Sequence, residues 1–120
     1  MAVGIHAFGG YLPRRRLSRQ IVVEANAWFA PALKGLGRGE RAIANWDEDP
    51  VTMAVEACRD ALGLLDRSTL GALWLASTTL PFEDRQNAGI VAEALGLDST
   101  VRTLDIAGSR RAARGSRRAA

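Results

Sequence analysis

Apolar residues fall into blocks whose spacing changes along the chain, and each change predicts a new element. Residues 2–8 (Ala-Val-Gly-Ile-His-Ala-Phe) form a nearly continuous apolar run that Gly9-Gly10 and Pro13 end, which predicts a short buried strand. Arg14, Arg15 and Arg16 then predict a charged turn. From Ser18, a good N-cap type, apolar positions Ile21, Val22, Ala25, Trp28 and Phe29 recur at helical spacing, and Pro31 closes the run. Residues 34–45 mix three glycines with charge and predict an exposed loop. Asp49-Pro50 places an N-cap residue before a proline at the first helical position. Met53, Ala54, Ala57, Ala61 and Leu62 mark the apolar face of that helix, and Gly63 stops it.

Residues 70–76 are continuously apolar, the pattern of a parallel strand covered on both faces. Pro81 through Arg85 read as a loop. Asn87 is placed to cap a helix through Ile90, Val91, Ala94 and Leu95, with Gly96 as its C′ residue. Residues 101–106 predict a third strand. The resulting order is strand, helix, helix, strand, helix, strand, an α/β layer with parallel pairing. Residues 108–120 contain only Gly, Ser, Arg and Ala, so the helix expected to cover the last strand has no apolar face there. The expected division is residues 1–109 as one incomplete domain and 110–120 as a disordered Arg-rich tail.

Composition sharpens this division. The 120 residues carry a net charge of +3, but five of the 16 basic residues lie in the last eleven positions. Residues 1–109 therefore hold 11 bases against 13 acids, a net of −2, and only the tail is basic. Cys58 is the single cysteine, which excludes an internal disulfide and a cysteine-based metal site and suits a reducing, cytoplasmic setting. The first residues lack the basic start and long apolar run of a signal peptide, and no stretch nears the ~18 apolar residues of a membrane span.

Four segments, taken in order, resemble one family. Gly9-Gly10-Tyr11-Leu12-Pro13-Arg14 resembles the opening of ketoacyl-ACP synthase III and hydroxymethylglutaryl-CoA synthase homologues. Residues 39–42 followed by 47–54 resemble the lead into that family's second helix. Residues 76–82 (Ala-Ser-Thr-Thr-Leu-Pro-Phe) resemble a strand end and its loop, and residues 103–109 resemble the strand that leads to the nucleophile. The resemblance is to the N-terminal part of thiolase-fold condensing enzymes, on the hydroxymethylglutaryl-CoA synthase-like branch. It implies an α/β fold, a partial thiolase-like half-domain with an incomplete layered sheet. It also implies acyl-CoA as substrate, no bound cofactor, and condensation through a Cys nucleophile at a helix N-terminus with a Glu general acid/base and a later His.

Carried over by position, the family's nucleophile falls at about Arg110, beside Ser109, and its general-base Glu falls at Thr78. None of these is the expected residue type, and the catalytic His would lie beyond residue 120. Residues 113–118 depart from the family's small-residue helix in the manner of an out-of-frame reading of GC-rich DNA. The expectation is a truncated acyltransferase-family chain that is inactive by itself.

The other chemically suggestive residues have simpler readings. Cys58 sits mid-helix, where a small buried residue belongs and no helix N-terminus lowers its pKa. His6 has no nearby Cys or carboxylate in sequence. Asp47, Glu48 and Asp49 read as helix-capping charges before a cation site. Glu83 and Asp84 read as loop carboxylates, although Glu83 lies a few residues from Thr78. Trp28, Trp46 and Trp74 read as core or interface residues. Gly35-Leu36-Gly37-Arg38-Gly39 follows a helix and lacks the Gly-Lys-Ser/Thr ending of a phosphate loop. Two alternatives stay open beside the condensing-enzyme segment. One is a non-catalytic thiolase-like module that pairs with itself as a homodimer or with a partner subunit. The weaker one is a binder of nucleic acid or another anionic surface acting through its Arg tail, which lacks aromatic interleaving.

Overall fold

The computed structural model describes residues 3–108. Ser109, Arg110 and the 110–120 tail therefore lie outside the described residues. The chain divides into two compact units. One contains the stretch up to Tyr11 and everything from Glu48 onward, and the other is Leu12–Asp47.

The larger unit is the α/β layer that the sequence pattern predicts. Helix α2 spans Pro50–Leu62 and begins with a reciprocal capping box. Asp49 Oδ1 accepts from Thr52 N at 2.8 Å, and Asp49 N donates to Thr52 Oγ1 at 2.9 Å. Pro50 at the first helical position loses no bond there, because its amide would have been an orphan. Gly63 ends the helix with φ +49°, a conformation that costs glycine little. Strand β3 (Ala72–Ala76) and strand β4 (Arg102–Ile106) pair in parallel, Trp74 opposite Leu104. Helix α3 (Asn87–Ala94) is the crossover between them. Val51 and Val55 of α2 meet Val91 and Leu95 at α3, and Leu73 and Leu75 of β3 pack onto this cluster.

Two expectations for this unit are corrected. The apolar run at 70–76 is covered on one face only: Leu73 and Leu75 reach the core, whereas Trp74 is only half-buried and its register partner Leu104 is exposed. The strand expected at 2–8 is not seen over its described part. Residues 3–8 have no assigned strand or helix, and all are exposed. The chain is tied down only after them. Gly10 N donates to Asp60 Oδ2 at 2.9 Å, and the Tyr11 hydroxyl donates to Glu48. Gly9 passes so close to α2 that a Cβ on it would lie 2.3 Å from Ala61 N.

The smaller unit departs further from the sequence pattern. The expected charged turn and exposed loop are strands instead: β1 (Arg15–Ser18) pairs antiparallel with β2 (Glu40–Ile43). The segments lie 22 or more residues apart in sequence, and local propensity does not report such pairing. Helix α1 covers only Arg19–Asn26; Trp28 and Phe29 lie beyond its end, their rings edge to face at 5.0 Å. Of the two expected placements, core or interface, Trp28 and Trp46 do not take the core one: both are exposed, because a unit of this size has little interior to offer. The observed order is thus β1-α1-β2 in one unit and α2-β3-α3-β4 in the other.

Candidate active site

Parallel strands leave a crevice at their C-terminal ends, where the chain turns away into loops. Here the ends of β3 and β4 open into a cleft of about 630 Å³ lined by Thr78, Phe82, Glu83, Asp84, Asn87 and Asp105, among others. Thr78, where the family resemblance puts a Glu, therefore does face a cleft. Glu83 and Asp84, read from sequence as solvated loop residues, are exposed as expected and line the same cleft. The guanidinium of Arg85 lies 5.4 Å from the Phe82 ring centroid, a cation–π distance.

The wall of this cleft is fixed by a polar network that sequence reasoning missed. Asp105 Oδ2 accepts from Asn87 N at 2.7 Å and from Asn87 Nδ2 at 2.8 Å; Asp105 Oδ1 accepts from Ala88 N at 2.6 Å. A β4 carboxylate thus caps α3 from 17 or 18 residues away, supplying the acceptor that Gln86 at the N-cap position does not. Asn87 is not the cap it resembles. It is the first helical residue, only 1% exposed, and its amide turns outward to hold the loop: Phe82 N donates to Oδ1 at 3.2 Å and Nδ2 donates to the Phe82 carbonyl at 2.9 Å. Gln86 adds a third tie, its Nε2 donating to the Thr103 carbonyl at 2.9 Å and its Oε1 accepting from the Thr103 hydroxyl.

Burial pushes the Asp105 carboxyl up, but the Asn87 side chain and the Asn87 and Ala88 amides outweigh it and hold the group below the usual carboxylate range. Asp105 is an anion at a helix N-terminus, where the peptide dipoles favour one. The signal in the sequence was the Asp itself. An Asp between Leu104 and Ile106 in a strand conflicts with strand propensity and needs a local reason.

Neither Cys58 nor His6 lines the cleft. Cys58 lies in α2, packed against the core cluster, and burial pushes its thiol up, away from the reactive thiolate. His6 lies in a separate, mostly apolar depression with Ala61, Leu62 and Leu65. Among the described residues, no group of three His, Cys, Asp or Glu side chains is placed to hold a metal ion. Of the acidic run, Asp49 caps α2, Glu48 accepts from Tyr11, and Asp47 accepts from Asn45 Nδ2 at 2.8 Å. No helix among the described residues is long and apolar enough to cross a membrane.

No family model matches the chain. Individual proteins do. The chain is 39% identical over 111 residues to the hydroxymethylglutaryl-CoA synthase of Caldivirga maquilingensis, a match covering 88% of this chain and 31% of that enzyme. It is 33% identical over 114 residues to the Aeropyrum pernix synthase, covering 93% of the chain and 32% of the enzyme. Over nearly all of its length the chain is similar to the N-terminal part of hydroxymethylglutaryl-CoA synthases. Solved structures agree at the level of fold. MvaS in complex with 3-hydroxy-3-methylglutaryl coenzyme A superposes with a TM-score of 0.78 at 27% identity, over 95% of this chain and 28% of that one. Xanthomonas campestris OleA superposes with a TM-score of 0.80 at 20% identity, over 96% and 37%. This synthase-like chain spans about a third of the length of the curated relatives it matches. The expectation of a partial α/β thiolase-like domain therefore holds.

Proposed function

We propose that this chain contributes the N-terminal, cleft-forming part of an acyl-CoA condensing enzyme, and that the 120 residues by themselves do not catalyse condensation. The observation that supports the reading most is the cleft at the ends of β3 and β4. It contains Thr78 at the family's Glu position and lies at the end of the strand that leads toward Ser109 and Arg110. Inactivity rests on chemistry. The single thiol is Cys58, held in α2 away from the cleft lining and raised in pKa, and the single imidazole is His6, in a different depression. The substrate proposed for the intact enzyme is an acyl-CoA, as the ligand of MvaS suggests. With one cysteine and no disulfide to maintain, a reducing cytoplasmic setting is part of the proposal.

A chimera tests the positions directly. The aligned segment of the Caldivirga maquilingensis synthase is replaced by this chain's, and formation of hydroxymethylglutaryl-CoA is assayed. The chimera is expected to be inactive, and the pair Thr78→Glu with Arg110→Cys is expected to restore measurable turnover, because a thiolate and a general acid/base return together. A folded double variant with no gain would overturn the assignment of these positions. For the chain alone, incubation with acetyl-CoA is expected to leave its intact mass unchanged; acylation of Cys58 or Ser109 would contradict inactivity.

A further inference from the structure

Thr78 stands in a short stretch of loop whose two ends are tied to the same strand. At one end Ser77 N donates to the Ile106 carbonyl at 3.1 Å, directly after the last β3–β4 register pair. At the other end the tie is a side chain. Asn87 Oδ1 accepts from Phe82 N, and Asn87 Nδ2 donates both to the Phe82 carbonyl and to Asp105 Oδ2. Residues 78–81 are therefore held between Ile106 and its chain neighbour Asp105, on the strand that leads toward Ser109 and Arg110.

Helix α3 does not need this side chain. Asp105 already caps the first turn through two backbone amides, Asn87 N and Ala88 N. The Asn87 amide group serves the loop instead, and few residue types could replace it. The clasp needs an acceptor for an N–H, a donor for a carbonyl and a donor for a carboxylate at one buried position. An ionised Asp has no donor, Ser is too short to reach Phe82, and Gln is one methylene longer. We propose that Asn87 is a positioning residue: it fixes residues 78–81 against the strand that leads to position 110, so that groups at positions 78 and 110 meet a substrate in register. Its side chain is engaged by Phe82 and Asp105 and acts through the loop. Alignment of reacting groups is worth orders of magnitude in rate, so a support of this kind matters well beyond its own hydrogen bonds. The chemical meaning of positions 78 and 110 rests on the condensing-enzyme reading, and the clasp rests on the hydrogen bonds.

The test follows Asn87→Ala in two proteins. In the full 120-residue chain, amide exchange at Phe82 is expected to quicken at least about tenfold, because its acceptor is gone. The Ala88 amide keeps its bond to Asp105 and is expected to keep its rate. The second protein is the chimera described above, carrying Thr78→Glu and Arg110→Cys. There kcat is expected to fall about 10- to 100-fold while KM for acetyl-CoA stays within about threefold, since misalignment weakens the transition state more than binding. Unchanged exchange at Phe82, or equal acceleration at Phe82 and Ala88, would overturn the clasp. A kcat that holds, or a loss carried by KM alone, would overturn the positioning role. Should Asn87→Ala not fold, Asn87→Ser replaces it, because its hydroxyl can still donate to Asp105 but not reach Phe82; the same outcomes decide. If the parent chimera shows no turnover, the functional reading fails by itself and exchange at Phe82 decides the clasp.

Discussion

Helices α1 and α3 have the same length, eight residues, and opposite means of support. Isolated helices below about 12–15 residues are marginal in water, so both depend on what surrounds them. In α3, Ala88 and Val91 have no exposed surface, Leu95 at its end is buried, and Asp105 closes its first turn from another strand. The other end is also held: Arg67 donates to the Leu95 carbonyl, placing a cation at the helix C-terminus. In α1, only Val23 is buried, Ser18 makes no side-chain cap, and neither end carries a complementary charge. At its first turn Arg19 N donates to the Gly39 carbonyl at 3.0 Å. Two helices of equal length thus draw very different support from burial and long-range capping.

The contrast can be broken most strongly at its apolar centre. Leu95→Ala is expected to cost ~2–5 kcal/mol, because it leaves a cavity where α2 and α3 meet. Chemical denaturation measures it, and a loss below about 1 kcal/mol would show that this centre is looser than its burial suggests. Next comes the cap. Asp105→Asn is expected to cost about 1.5–3 kcal/mol by weakening charge-assisted bonds to α3 and the loop.

That substitution also carries a pH signature. The folded-state pKa of Asp105 is lowered, so the folded protein binds this proton less readily than the unfolded chain. Its contribution is complete above the ordinary carboxylate value of about 3.9 and is lost as pH falls through the lower folded value. Asp66 and Asp98 are lowered by their Ser68 and Thr100 partners and titrate in the same window, so the informative quantity is wild type minus Asp105→Asn. The difference should shrink on acidification below pH ~4; a constant difference would rule out the anionic cap.

Gly9→Ala comes third, at roughly 1–3 kcal/mol, since a Cβ 2.3 Å from Ala61 N forces backbone to move. The smallest effect sharpens the other side of the comparison. Ile21→Ala in α1 is expected to change stability by no more than about 0.5 kcal/mol, because the side chain already stands mostly in water. Native-state hydrogen exchange should likewise show α1 amides opening well before those of α3. Equal protection of the two helices would refute the contrast.

The amino-acid sequence alone determined the elements whose causes are local. Asp49, Pro50, Thr52 and Gly63 start and stop α2, and Gly96 (φ +64°) follows α3, because capping and left-handed backbone depend on residues a few positions apart. The apolar run at 70–76 marked β3, residues 101–106 read as a strand and became β4, and short motifs carried the family resemblance. Tertiary structure decided everything that depends on distant partners. It turned Arg15–Ser18 and Glu40–Ile43 into a paired ribbon and left residues 3–8 exposed and outside any strand. It also took the capping role from Asn87 and gave it to Asp105, 18 residues further on, and it gathered Thr78, Glu83 and Asp105 around one cleft. Strand pairing, burial and long-range caps depend on which segments meet in space. No window of sequence contains that information, because the energy belongs to the contact and not to either segment alone.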